Sequence, residues 1–162
     1  MEFIRVSPGN DLSVPVKVLQ EAHRTVAEEF GFTKETNPTN NAFIDETTLR
    51  AQLEKGIELY QLNENDIAVG CIAIEKSKKE EDTFFIEKVS IIPKYRNQGY
   101  GIAMMDFAAR TIKDRGGKRI SIALIDSNIW LKKWYTNQGF TETEIKDFPR
   151  LPFRVCFMNK PV

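Results

Sequence analysis

Apolar positions change their period several times along this chain, and each change marks the boundary of a strand or a helix. Residues 3–6 (Phe-Ile-Arg-Val) read as a short strand. After Pro8-Gly9, Val14, Val18, Leu19, Ala22 and Val26 recur at helical spacing, and Gly31 is a natural stop. Segment 32–41 is polar and Asn-rich, with Pro38, and reads as a loop. Asp45 is placed to cap a second, short helix that carries Leu49 and Leu53 on one face and ends near Gly56. Runs 57–62 and 67–74 have strand character and are separated by Asn63-Glu64-Asn65-Asp66, a hairpin-turn composition. A further turn at 76–82 leads to the longest strand candidate, 84–92. It is apolar on both faces except for Glu87, Lys88 and Ser90, as in a central strand.

Beyond Gly101 a helix is predicted with Ile102, Met105, Ala109 and Ile112 on one face, stopping at Gly116-Gly117. Residues 119–125 form the next strand. Asp126 or Ser127 can then cap a helix holding Trp130, Leu131, Trp134 and Tyr135, closed by Gly139. Runs 140–145 and 153–158 supply two last strands, joined by a loop that contains Phe148-Pro149-Arg150-Leu151-Pro152. Trp130, Trp134, Met104 and Met105 read as core, and the lysine-rich turn at 76–79 as a solvated hairpin end. The order of elements is that of an α+β domain.

A chain of 162 residues suits a single domain, 1–162, with a hydrophobic core of its own. At 41% hydrophobic and 28% charged, it resembles an ordinary soluble globular protein. Lys plus Arg and Asp plus Glu both count 23, so no net positive charge is available to hold a nucleic acid. There is neither a signal-peptide pattern at the N-terminus nor an apolar run long enough to span a bilayer, so a cytoplasmic location without membrane partners is expected. Cys71 and Cys156 are far apart in apolar surroundings and read as buried thiols of a reducing compartment. His23 is the only histidine, and no Cys or His cluster has metal-ligand spacing. No metal site is expected, and His-dependent catalytic triads have no candidate.

Candidate chemistry concentrates in Arg96-Asn97-Gln98-Gly99-Tyr100-Gly101, between the long strand and the helix after it. Without Cβ atoms, Gly99 and Gly101 let the backbone approach a bound group closely, and the helix start adds unpaired N–H groups that suit a phosphate. On the residues alone, a tight strand-to-helix turn without a ligand fits equally well. The segment lacks the Gly-Lys-Ser/Thr ending of a nucleoside triphosphate loop and the three-glycine dinucleotide fingerprint.

This segment resembles the coenzyme loop of the GNAT superfamily of acyl-CoA-dependent N-acyltransferases, Arg/Gln-x-x-Gly-x-Gly/Ala, filled here by Arg96, Gly99 and Gly101. Residues 86–96, with Pro93 and the Tyr95-Arg96 pair, are similar to the family's strand-to-loop segment. Asn128, Leu131, Trp134, Tyr135, Gly139 and Phe140 resemble its Asn-x-x-Ala-x-x-Leu-Tyr-x-x-x-Gly-Phe stretch, with Leu131 and Trp134 in place of Ala and Leu.

The resemblance implies a three-layer α/β/α domain with a mixed, mostly antiparallel sheet of about seven strands and helices on both faces. It implies acetyl-CoA as cosubstrate and direct transfer of acetyl to a primary amine of a small molecule or protein, and it leaves the oligomeric state open, with a homodimer common in similar proteins. The pantetheine arm would pair with backbone at Ile91 and Ile92, and the pyrophosphate would lie on the loop formed by Arg96, Asn97, Gln98, Gly99, Tyr100 and Gly101. Asn128 would contact the coenzyme; its other reading is a residue of the first helical turn.

An amine arrives protonated and needs a base. Glu87 alternates with Phe85 and Val89, an apolar setting that would strengthen a carboxylate base, and it occupies the position where many family members carry one. Its alternative is a strand glutamate paired with a lysine or facing solvent. Tyr135 matches the family's acid, which would protonate the departing thiolate; without the motif it would read as core. The competing functions are an acyl-CoA-binding domain without turnover and a general phosphate-binding module.

Overall fold

Local sequence decides where most elements begin and end in the computed structural model, which describes residues 1–162. Along the chain these elements are β1 (Glu2–Val6), α1 (Ser13–Phe30), α2 (Glu46–Glu54), β2 (Glu58–Glu64) and β3 (Ile67–Lys76). They continue as β4 (Thr83–Ile91), α3 (Tyr100–Asp114), β5 (Arg119–Ile125), α4 (Ile129–Asn137), β6 (Thr141–Asp147) and β7 (Arg154–Pro161). The Asp45 carboxylate accepts the Thr48 N–H at 2.8 Å and so starts α2, as its position predicts. The β2–β3 turn is shorter than its composition suggests. Asn65 and Asp66 both take left-handed backbone (φ 49° and 63°), which lets a two-residue turn close the hairpin and extends β2 to Glu64.

The seven strands make one mostly antiparallel sheet in the order β1-β2-β3-β4-β5-β7-β6. Two compact units divide the chain, Met1–Glu75 with Lys88–Ala108, and Lys76–Glu87 with Ala109–Val162, so that β4 belongs in part to each.

In the first unit β1, β2 and β3 pair antiparallel, with Leu59 opposite Ala73 and Tyr60 opposite Ile72. Alternation then sorts the side chains. Leu59, Cys71 and Ala73 join Val16, Val18 and Leu19 of α1 and Leu49 and Leu53 of α2 in one buried cluster. The opposite face carries Tyr60, whose ring meets Phe107 of α3 edge-on at 4.9 Å, while Phe107 stacks on Phe3 at 4.0 Å. Helices therefore cover both faces of this part of the sheet. Each fully buried leucine contributes roughly 1.5–3 kcal/mol.

In the second unit β5 runs parallel to β4 over Thr83–Phe85 opposite Arg119–Ser121, and it pairs antiparallel with β7 along its whole length. Ile120, Ile122 and Leu124 of β5, and Cys156 and Met158 of β7, are buried. Both cysteines are free thiols. No helix is long and apolar enough to cross a membrane.

Three local expectations change. Asn128, not Asp126 or Ser127, caps α4, accepting the Leu131 N–H at 3.2 Å, because the Asp126 carboxylate is committed to Lys132 and Arg154. The inward stripe of α4 accordingly runs through Leu131, Trp134 and Tyr135, and Trp130 is 70% exposed instead of core. On α3 the buried stripe is Met104, Met105, Ala108 and Ile112, which leaves Ile102 exposed.

Gly70 of β3 matters for clearance: a Cβ there would stand 2.5 Å from the Ser90 carbonyl oxygen, a backbone atom that cannot step aside. Gly70→Ala is expected to destabilise the fold by about 2 kcal/mol. Urea denaturation should show a lower midpoint at unchanged slope, and wild-type stability would show that β3 and β4 have room to separate.

Candidate active site

The central strand carries two different faces. Phe84, Ile86, Lys88 and Ser90 are buried, whereas Phe85 is exposed and Glu87, Val89 and Ile91 are half-buried. Glu87 thus shares a face with Phe85 and Val89 as predicted, but that face is the more open of the two. Lys88 takes left-handed backbone (φ 53°), an uncommon choice for a lysine, and interrupts the extended run of β4 at the residue after Glu87.

The strand then turns into α3 through 92–99. A short 3₁₀ turn, Pro93–Tyr95, is closed by the Tyr95 N–H on the Ile92 carbonyl at 2.9 Å and the Arg96 N–H on the Pro93 carbonyl at 3.2 Å. The Ile92 N–H donates to the Val69 carbonyl at 3.0 Å, so both backbone groups of Ile92 are used within the fold. Asn97 (φ 60°) and Gly99 (φ 87°) both adopt left-handed backbone. No atom lies within 4 Å of where a Gly99 Cβ would be, so glycine is needed there for conformation, not for clearance. The Ala103 N–H is bonded to the Gly99 carbonyl at 3.1 Å, the first helical bond of α3. Helix geometry leaves the N–H groups of Tyr100, Gly101 and Ile102 without a partner in the helix, and Asn97, Gln98 and Gly99 are exposed beside them. The junction thus presents backbone N–H groups at the positive end of α3, a geometry suited to an anion.

The Arg96 side chain points into the protein instead of toward the loop's exposed rim. Its Nε–H donates to the Ile91 carbonyl at 3.2 Å, and Nη2 donates to the Ala22 carbonyl at 2.8 Å and to Thr25 Oγ1 at 3.0 Å. Arg96 therefore fastens the loop to the C-terminal half of α1. Gln98 is tied back in the same way, Nε2 donating to the Lys94 carbonyl at 3.2 Å.

Next to this clamp lies a polar group of residues that sequence reading did not single out. The Lys88 ammonium, only 7% exposed, donates to Asn41 Oδ1 at 2.8 Å and so holds the short turn Asn41–Phe43 between α1 and α2. The Ser90 hydroxyl donates to the Lys88 carbonyl at 2.8 Å and lies 2.8 Å from His23 Nε2, so the histidine must supply the proton between them and is the neutral Nε2–H form. Burial, then the charges of Lys88 and Arg96, push His23 down to about 4. The available signal was the alternation that puts Lys88 and Ser90 in register with Phe84 and Ile86.

Glu87, Asn128 and Tyr135 belong to the second unit. With its Oδ1 spent on capping α4, Asn128 retains its amide N–H donors. Tyr135 is buried between Trp134 and Phe140, whose rings meet it edge-on at 4.9 and 5.5 Å, and burial pushes its hydroxyl well above the ordinary value of 10. Two loop aromatics, Phe43 and Phe148, also have local partners. Phe43 lines a hollow of about 240 Å³ with Pro38, Ile44, Thr48 and Gln52, and Phe148 meets Phe157 edge-on at 6.4 Å.

The fold and this loop define a class of acyl-group transferase, and comparison with known proteins agrees. The profile of the acetyltransferase (GNAT) family matches residues 19–140, and the chain belongs to that family. Among crystal structures it is similar to an acetyltransferase from Thermus thermophilus, at TM-score 0.78 and 13% identity over 99% of this chain and 96% of the other. The PaiA N-acetyltransferase from Thermoplasma acidophilum, in complex with coenzyme A, is similar at TM-score 0.76 and 14% identity over the full length of both chains. The ribosomal-protein-S18-alanine N-acetyltransferase from Escherichia coli is similar at TM-score 0.71 and 17% identity over 99% and 94%. No curated protein sequence matches the chain significantly.

His23 gives a pH prediction. Below about 6.5 the unfolded chain takes up a proton that the folded one refuses until about 4, so stability should fall as pH drops through that window and not depend on this residue above it. Denaturation of wild type and His23→Gln between pH 4 and 7 should show the variant losing less on acidification, by on the order of 2 kcal/mol. Parallel curves would mean that His23 titrates normally.

Proposed function

We propose that the chain transfers acetyl from acetyl-CoA directly to a primary amine of a small molecule or a protein. The observation that carries this reading is the exposed backbone at Asn97–Gly99, left-handed at both ends and set against the partnerless N–H groups of α3, inside the segment matched to the family. Amide hydrogens of 98–102 suit the diphosphate of coenzyme A, and they bring no base-reading side chain that would favour a nucleotide triphosphate. The Ile91 carbonyl, which already accepts one bond from Arg96, keeps a lone pair for an amide of the pantetheine arm. Asn128 would add a donor from its side-chain amide.

In the reaction the amine must lose a proton, directly or through one water, before its nitrogen can attack the thioester carbon, and Glu87 is assigned that proton. Its place on the open face of β4 gives water access, consistent with a relay. As the C–S bond breaks, the electron pair leaves on sulfur. The hydroxyl of Tyr135, held protonated by its burial, would hydrogen-bond the thiolate and give up its proton only as sulfur becomes basic. Because a thiolate is a fair leaving group, this assistance is the smaller contribution. Two buried free thiols suit a reducing, cytoplasmic setting for the reaction. The S18-alanine enzyme among the similar structures is one precedent for a protein amine as acceptor.

Thiol release from acetyl-CoA with a panel of small amines and peptide N-termini tests the reading. Glu87→Gln should lower kcat about a hundredfold near neutral pH and leave acetyl-CoA affinity unchanged, and Tyr135→Phe should cost about tenfold. A Glu87→Gln protein with full kcat and weakened acetyl-CoA binding would move Glu87 from catalysis to cosubstrate binding. Binding without thiol release across the panel would point to an acyl-CoA-binding domain without turnover.

A further inference from the structure

The connection between α1 and α2 carries the hollow of about 240 Å³ already noted, walled by Pro38, Phe43 and Ile44 and by the side of α2 that bears Thr48 and Gln52. Thr48 and Gln52 are four residues apart on the helix and so share that side. No residue lining the hollow is ionisable, and none of those assigned to acetyl transfer is among them.

Gln52 is out of keeping with its surroundings. It is half-buried near the end of α2, beside Leu49 and Leu53 of the core stripe, whereas a glutamine on a helix ordinarily turns its amide to water. Its side-chain Oε1 is buried and accepts no hydrogen bond from any protein group. An unserved buried acceptor weakens a fold, and an apolar side chain of the same shape would avoid that loss. A donor that arrives from outside the chain gives the amide a use.

The walls are set before any ligand arrives. Asn40 Oδ1 accepts the Ala42 N–H at 2.9 Å, Gln20 Nε2 donates to the Ile44 carbonyl at 2.7 Å, and the Lys88 ammonium holds Asn41 Oδ1 at 2.8 Å. The turn is thus fixed on both sides of Phe43, and a fixed wall lowers the ordering cost of binding. The half-buried Phe43 ring supplies a flat apolar surface on which a planar group can stack. An uncharged lining offers an ion nothing to offset its desolvation, so the ligand that fits is neutral. The exposed hydroxyls of Thr39 and Thr48 can donate to a carbonyl.

We propose that this hollow binds a small, uncharged, planar carboxamide, its N–H on Gln52 Oε1 and its flat body against Phe43. The site is independent of the acetyl-transfer reading and stands whatever acceptor amine the enzyme uses. Benzamide, titrated into the 15N-labelled full chain, tests it. The backbone amides of 38–52 should shift saturably, with a dissociation constant in the millimolar range expected of so small a ligand. Acetophenone, which keeps the ring and carbonyl but has no N–H, should bind about tenfold more weakly, and so should benzamidine, which keeps the shape but is a cation. Gln52→Leu should fold with an undiminished urea midpoint, since it removes the unserved acceptor, and should bind benzamide and acetophenone alike. Gln52→Glu keeps the acceptor and adds a charge, so its preference should pass from benzamide to benzamidine. Absence of saturable shifts at 38–52 would overturn the proposal. So would wild-type affinity for acetophenone equal to that for benzamide, or a preference for benzamide that survives in either variant.

Discussion

One guanidinium holds the working part of this protein in shape. Arg96 joins the last turn of the β4–α3 connection to the Ile91 carbonyl at the end of β4 and to the Ala22 carbonyl and Thr25 hydroxyl of α1. Three acceptors on two elements leave the loop little freedom, and charge-assisted bonds of this kind are among the stronger ones in proteins. The loop can therefore present left-handed Asn97 and Gly99 to solvent without collapsing onto the helix. An anion site made of backbone amides works only if those amides are held in place before the anion arrives. In the proposed function Arg96 would be a positioning residue, its side chain bonded beneath the loop to Ile91, Ala22 and Thr25 although its place in the motif suggests contact with the ligand.

The same region solves a charge problem. Lys88 and Arg96 place two cations near His23, and no third charge is tolerated: the imidazole stays neutral and serves as a hydrogen-bond donor to Ser90. Lys88 in turn uses its ammonium to hold Asn41, and its left-handed backbone sets the irregularity in β4 directly after Glu87. A chain of polar contacts thus runs from the turn at Asn41 through β4 to the β4–α3 loop, all within the first unit.

Much of this was legible in the sequence because it rests on local chemistry. Gly31, Asp45 and the Asn65-Asp66 turn mark element ends through capping or backbone preference, and alternation in 84–92 marks a central strand. The errors arose where tertiary partners overrode local choices. Asp126 looks like a helix cap but is drawn away by Lys132 and Arg154, which passes the cap to Asn128 and turns Trp130 outward. Ile102 fits the apolar spacing of α3, yet the stripe of Met104, Ala108 and Ile112 occupies the buried face. The network of His23, Asn41, Lys88 and Ser90 spans up to 67 residues of sequence and has no motif to announce it. The loop motif itself was readable, but the inward direction of Arg96 was not, since it depends on where α1 lies.

The central claim is that the amides between Asn97 and Ile102 hold the diphosphate of coenzyme A. Isothermal titration calorimetry with acetyl-CoA, run beside ATP on wild type and on folded Gly99→Val, addresses it most directly. Saturable one-to-one binding of acetyl-CoA below the millimolar range, not matched by ATP and lost when valine forces the backbone out of its left-handed conformation, is the predicted result. A folded wild-type protein that gives no binding heat with millimolar acetyl-CoA, or a valine variant that binds it undiminished, would contradict the account.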